Sequence, residues 1–254
     1  DDSEKTVIEP LAKKAASLEP AYDFELMENS GSIKGYFLSD DDTLAVDSAL
    51  ARLADKDEFE KKYSVSGKGV LQYAVGDGNH SLATAKACAK LDPSPLAARA
   101  LVEVVNLHDT ALDFEPIYRV VFDCDVKELL GELSTYVTSL HGNAAPQRVI
   151  CVGQGEDTVL EIPTPEQQLT VGTLQSFLDA YAAAHPEVTV DYIHGEDSLR
   201  ALAARENAVG FLFDGMRKDE LFRTVLFDGA LPRKTFSMGH AADKRYYLEC
   251  RRIR

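Results

Sequence analysis

The sequence has no tryptophan, three methionines and only four cysteines in 254 residues. Cys88, Cys124, Cys151 and Cys250 lie far apart and form no Cys-x-x-Cys pair. That spacing excludes a structural zinc held by clustered thiolates and the Cys-dense disulfide framework of small secreted domains. The four read as reduced thiols, mostly core. No apolar run approaches the roughly 20 residues that span a bilayer, so no membrane partner is expected. The opening Asp-Asp-Ser-Glu-Lys is neither a signal peptide nor an initiator methionine. It predicts a cytoplasmic chain that is a fragment lacking a leading segment. Positive charge is also short: 27 Lys and Arg stand against 42 Asp and Glu, a net charge of −15, with no basic block. Gripping a phosphate backbone takes clustered cations, which argues against nucleic acid as a partner. Internal repeats, low-complexity tracts and Gly/Ser linkers are absent as well.

What remains is an ordinary globular composition, 45% hydrophobic and 27% charged, in a length that suits one to two domains. Helical periodicity marks 4–18 and 44–54, and strands at 24–27 and 33–38 flank a turn at Glu28–Gly31, a hairpin signature. Residues 39–43 read as an acidic loop, and 55–68 as a loop with one short helical turn. Val70–Val75 reads as an apolar strand, His80–Leu91 as an Ala-rich helix and Leu101–Leu107 as a second strand. Together they form a β-α-β unit whose crossover length suits parallel strands. From Ile117 onward strands and helices alternate: strands at 117–122, 148–152, 157–162, 188–193 and 208–213, helices at 126–140, 171–184, 196–205 and 217–226. The expected class is α/β, a mixed sheet with the parallel β-α-β unit carrying the site, plus a second α/β half; the expected division is 1–115 and 116–254.

The chemistry concentrates in Gly76-Asp77-Gly78-Asn79-His80-Ser81, between the expected strand and helix. Glycines let a ligand approach the backbone, and a helix start offers unpaired N–H groups and the positive end of the macrodipole, which suit an anion. Asn79 or Ser81 can equally serve as an N-cap, which leaves a capped turn as the plain alternative. Asp77 and His80 add groups able to exchange protons or hold a metal. A right-handed parallel crossover would open the loop His108-Asp109-Thr110 on the same sheet edge, where open α/β folds bind ligands. Asp77, His80, His108 and Asp109 are therefore the candidate catalytic residues, and Gly76, Gly78, Asn79, Ser81 and Thr84 candidate ligand-binding ones. Glu115 and Arg119 could line the pocket as an ion pair or be an ordinary surface pair. Arg233, Lys234 and Ser237 suit a phosphate or carboxylate, or simply pair with acidic neighbours.

Several stretches resemble a bacterial and archaeal family, DUF1015. They are Val7-Ile-Glu-Pro-Leu11, Tyr22–Met27, Ile33–Tyr36, Ala74–Lys86, Ala100–Asp109, Phe114–Arg119, Leu231–Gly239 and Lys244–Leu248. Family members are longer at the N-terminus, which the resemblance extends to a missing segment here. At the level of fold, the loop is similar to the ParB/sulfiredoxin superfamily, whose members include nucleotide-binding proteins and a free-serine kinase. That resemblance implies phosphate held at a helix start. Some relatives read Asp-Gly-His-His-Arg; here Asn79 and Ser81 stand in place of the first His and the Arg, and Tyr118 stands where much of the family has His. The function expected is binding of a phosphorylated small molecule or a nucleotide with Mg at 76–81, as a phosphotransferase-like enzyme. The alternatives are a non-catalytic ligand-binding or regulatory module and a metal-assisted hydrolase. The metal and the oligomeric state stay open.

Overall fold

The computed structural model describes residues 1–76, 79–92, 94–238 and 248–252, with Asn79 and His80 as backbone only. The chain divides into two compact units, 1–111 with 241–254, and 112–240.

The first unit opens with a turn held by Asp2, whose carboxylate accepts from the N–H groups of Thr6 (2.6 Å) and Val7 (2.9 Å). Helix α1 (Glu9–Lys14) therefore starts later than its periodicity suggests, with Pro10 in its first turn where no N–H is needed. Strands β1 (Glu19–Glu25) and β2 (Ser32–Phe37) form the expected antiparallel hairpin, with Glu25 opposite Ser32. Gly35 lets the Tyr22 ring lie over it, since a Cβ there would force that ring to move. The acidic stretch after β2 is not a loop. Ser39 and Asp42 form a capping box that starts α2 (Asp40–Leu53), and Asp40–Asp42 occupy its first turn, where negative charge is favoured. Asp55 caps α3 (Lys56–Tyr63) through the Glu58 N–H at 3.0 Å. Helix α4 spans Asn79–Leu91.

The parallel β-α-β unit is overturned. Residues 70–75 and 101–107 lie in neither helix nor strand, and every strand pairing among the described residues is antiparallel. Most apolar side chains in these runs stay exposed, Val102 at 65% and Tyr73, Val75, Leu101, Val104 and Val105 with it, while Asn106 and Leu107 at the end are buried. Strand propensity expresses packing on a half-buried pleated surface. Without such a surface, an apolar run takes no ladder.

The second unit is an α/β layer structure. In chain order it holds β3 (Phe114–Phe122), α5 (Val126–Ser139), β4 (Gln147–Val152), β5 (Thr158–Ile162), α6 (Thr170–Ala184) and β6 (Thr189–His194). It continues with α7 (Glu196–Ala203), β7 (Val209–Leu212), α8 (Glu220–Asp228) and β8 (Phe236–Met238). The sheet runs β5-β4-β7-β3-β6, with β8 paired to the start of β3. Central β7 is buried along its whole length. Helix α7 lies close on it, because Gly210 brings Leu199 and Ala203 to within 3.0–3.1 Å of where a Cβ would stand. Val120, Val152, Leu199, Ala203 and Leu212 form a core cluster there. Each large member contributes about 1.5–3 kcal/mol by leaving water.

Candidate functional site

Helix α4 carries the expected site on its first turn. Gly76 precedes it. Asp77 and Gly78, and the side chains of Asn79 and His80, lie outside the described residues. Ser81 and Thr84 are exposed on the first turns. From Asn79 to Leu91 the helix contains Lys86 and Lys90 and not one Asp or Glu, in a chain of net charge −15. Beside it runs a groove of about 430 Å³ lined from Leu82 to Ala89 and by residues 97–100. Among the nine described lining residues six are alanines, whose short side chains leave the hollow, and two are Lys86 and Arg99. Arg251 adds a third cation, donating to the carbonyls of Leu96 (3.0 Å) and Arg99 (2.6 Å). The volume falls within the range of small-molecule pockets.

His108 belongs to a separate polar cluster of the same unit. Its Nε2 lies 2.5 Å from Asp1 Oδ1. The other Asp1 oxygen accepts from the Tyr63 hydroxyl and pairs with Lys62 Nζ at 3.1 Å. Burial lowers the Lys62 pKa, against the opposing pull of Asp2 and Glu4, and raises that of Tyr63. Buried Asn106 orders the segment: it accepts from the His108 N–H at 3.1 Å and donates to Asp2 O (2.9 Å) and Glu9 Oε1 (2.7 Å). An imidazole held by a carboxylate can pass a proton. Asp109 accepts from the Ala111 N–H at 2.8 Å, an Asx turn that closes the segment. Among the described residues no three His, Cys, Asp or Glu side chains gather as a metal-binding group.

The remaining candidates sit in the second unit, around β3 and β8. Glu115 faces Ser237 across that pair. Arg119 is 0% exposed and donates to Gln175 Oε1 (2.7 Å), Ile117 O (2.5 Å), Lys234 O (3.1 Å) and Arg233 O (3.3 Å). Desolvation lowers its pKa to about 10, so it stays a cation at neutral pH. It pins the 233–234 turn, where Lys234 takes a left-handed φ of 53°. The Arg233 and Lys234 side chains lie over the Tyr192 ring, 5.4 and 4.8 Å from its centroid. Tyr192, Gln175, Tyr63 and Asp1 were not legible as site neighbours. The one signal was Gln175, a polar residue inside an apolar helical stretch.

A family model described as a protein of unknown function (DUF1015) matches residues 1–181, which takes in the resembling stretches up to Arg119 and leaves out those at 231–239 and 244–248. The chain belongs to this family. The DUF1015 match takes in α4, His108 and Arg119 and ends within α6. No curated protein and no solved structure matches the chain. No helix among the described residues is long and apolar enough to cross a membrane.

Proposed function

We propose that this DUF1015 chain binds a phosphorylated small molecule of nucleotide size along α4. One observation carries the reading: an acid-free helix that follows a glycine-containing stretch of the sequence, flanked by a groove with Lys86 and Arg99 on its walls, in a strongly acidic chain. The phosphate lies at the start of α4, where backbone N–H groups lack intrahelical partners and the dipole favours an anion. The apolar part of the ligand lies along the alanines. Leu82 and Ala89 are about 10 Å apart along the helix axis, enough for a nucleoside. Asp77 and His80 supply the proton-handling groups of a phosphotransferase-like reaction. The ParB/sulfiredoxin likeness of the loop agrees with this reading.

The test is a thermal-shift panel of ATP, ADP, pyrophosphate and a sugar phosphate, with and without Mg²⁺. Ligand at about 100 times its Kd stabilises by roughly 2.7 kcal/mol, so at least one compound is expected to raise Tm. The response falls in Lys86→Gln and Arg99→Gln. A flat panel at millimolar concentration overturns the proposal. Binding without turnover under every condition instead favours the non-catalytic module.

A further inference from the structure

The turn between α8 and β8 presents two exposed cations, Arg233 and Lys234. Both lie over the half-buried Tyr192 ring, and the Arg119 guanidinium lies over it as well. Three positive charges therefore meet at one ring, which attracts a cation without neutralising it. Arg119 has the Gln175 oxygen, three carbonyls and the field of Asp179 to offset its charge. Arg233 and Lys234 form no ion pair among the described residues. The turn does not need their side chains for its shape. Arg119 bonds both of their carbonyls, and the Thr235 hydroxyl donates to Pro232 O at 2.6 Å. Lys234 takes its left-handed φ of 53° at a cost that Gly or Asn would avoid. A lysine kept where the backbone favours Asn or Gly marks a position whose charge has a use. Donors are left over too. Arg233 gives its Nε proton to the Tyr192 hydroxyl at 3.0 Å, which leaves its terminal nitrogens and the tyrosine's own proton for another acceptor.

We infer that Tyr192, Arg233 and Lys234 form an anion site in the second unit, independent of α4, that takes a phosphate dianion, free or as the ester of a small molecule. Two cations without a carboxylate match a doubly charged ligand, whereas a monocarboxylate leaves one of them over. The Arg233 fork suits two phosphate oxygens at once, and Lys234 adds a point charge. The Tyr192 hydroxyl, held by Arg233, donates a further bond. The buried Arg119 fixes the backbone that carries both cations.

Calorimetric titration of the full chain at low salt tests this site, with inorganic phosphate, glycerol 3-phosphate, acetate and glycerol as probes. Both phosphates are expected to bind, acetate to bind about tenfold more weakly for its single charge, and glycerol to give no heat. Equal affinities for the two phosphates identify the free ion as the ligand; a tighter ester identifies a phosphorylated small molecule. Arg233→Gln and Lys234→Asn each weaken phosphate binding about tenfold. Lys234→Asn also leaves the unliganded Tm unchanged or higher, because Asn accepts the left-handed backbone. A purely structural lysine would not produce that opposition. The same titrations in a Lys86→Gln/Arg99→Gln background separate this site from α4: here the phosphate response persists and still falls on Arg233→Gln. No response to either phosphate, acetate bound as tightly as phosphate, or a response lost with Lys86 and Arg99 yet untouched by Arg233→Gln and Lys234→Asn would each overturn the assignment.

Discussion

Arg119 and Tyr192 face each other across the antiparallel pair β3–β6, and the guanidinium carbon lies 4.5 Å from the ring centroid. A residue that reads as a ligand group is thus a buried clamp. Its planar fork satisfies one side-chain and three backbone oxygens.

Removing that clamp strands buried acceptors, each costing about 1–3 kcal/mol. Arg119→Met is therefore expected to lower unfolding free energy by about 3 kcal/mol or more in urea titrations. Arg119→Lys keeps the charge but not the fork and recovers only part of the loss. Tyr192→Phe keeps the ring beneath Arg119 and costs under about 1 kcal/mol, since it removes only the exposed bond from Arg233 Nε. If Arg119→Lys is as stable as the parent, the fork is not what holds the 233–234 turn.

The four thiols divide by burial. Cys88 and Cys250 are exposed; Cys124 and Cys151 are buried. The thiolate is the nucleophile, and desolvation pushes Cys151 up to about 11 from an ordinary 9.0 and raises Cys124 as well. A colorimetric disulfide reagent at pH 8 should titrate two thiols quickly in the folded chain and all four in denaturant. Burial also sets a pH dependence. Between pH 9 and 11 the folded state keeps the Cys151 proton that the unfolded chain releases. That contribution is whole below pH 9 and lost as pH rises through 11. Cys151→Ala should show a shallower alkaline decline than the parent in that window; parallel curves would contradict the assignment.

The contact of α7 with β7 leaves no spare volume. Gly210→Ala puts a methyl 3.0 Å from Leu199 Cγ and 3.1 Å from Ala203 Cβ, and overpacking of this kind costs about 1–3 kcal/mol. Leu199→Ala opens a cavity instead and costs about 2–5 kcal/mol. The double variant should be less destabilised than the two losses added together, because the shortened side chain makes room for the methyl. Additive losses in chemical denaturation would place the strain elsewhere.

Most of the second unit was legible because its elements carry their own signals. In α5, Leu129, Leu133 and Val137 recur every four residues and are all buried, and Asp125 caps the helix through the N–H groups of Lys127 and Glu128. Strand order was not legible: β7 inserts between β4 and β3, a choice made by side-chain packing between segments distant in sequence. The same distance hid the role of Arg119, whose partners lie 56, 114 and 115 residues away. At 70–75 and 101–107 the composition favoured strands, but a ladder needs a neighbour that composition does not name. The helix at 79–91 was legible as local grammar. The Ala-lined groove was not, since its far wall comes from residues 97–100.

The cations of α4 offer a comparison on one helix. Lys86 lines the groove, whereas Lys90 is exposed on the same helix and is absent from the lining. If a phosphorylated ligand lies there, Lys86→Gln and Arg99→Gln should each weaken ADP binding by about tenfold, the worth of one charge-assisted bond. Lys90→Gln should stay within about twofold, as a screened charge at longer range does. Raising NaCl should weaken binding in the parent and do so less in the Lys86/Arg99 double variant, which has fewer charges to screen. None of the three side chains is buried, so unfolding free energies should stay within about 0.5 kcal/mol of the parent and the affinities can be read directly. Equal losses at Lys90 and Lys86 would mean that only the helix's general charge attracts the ligand, and that the groove does not hold it.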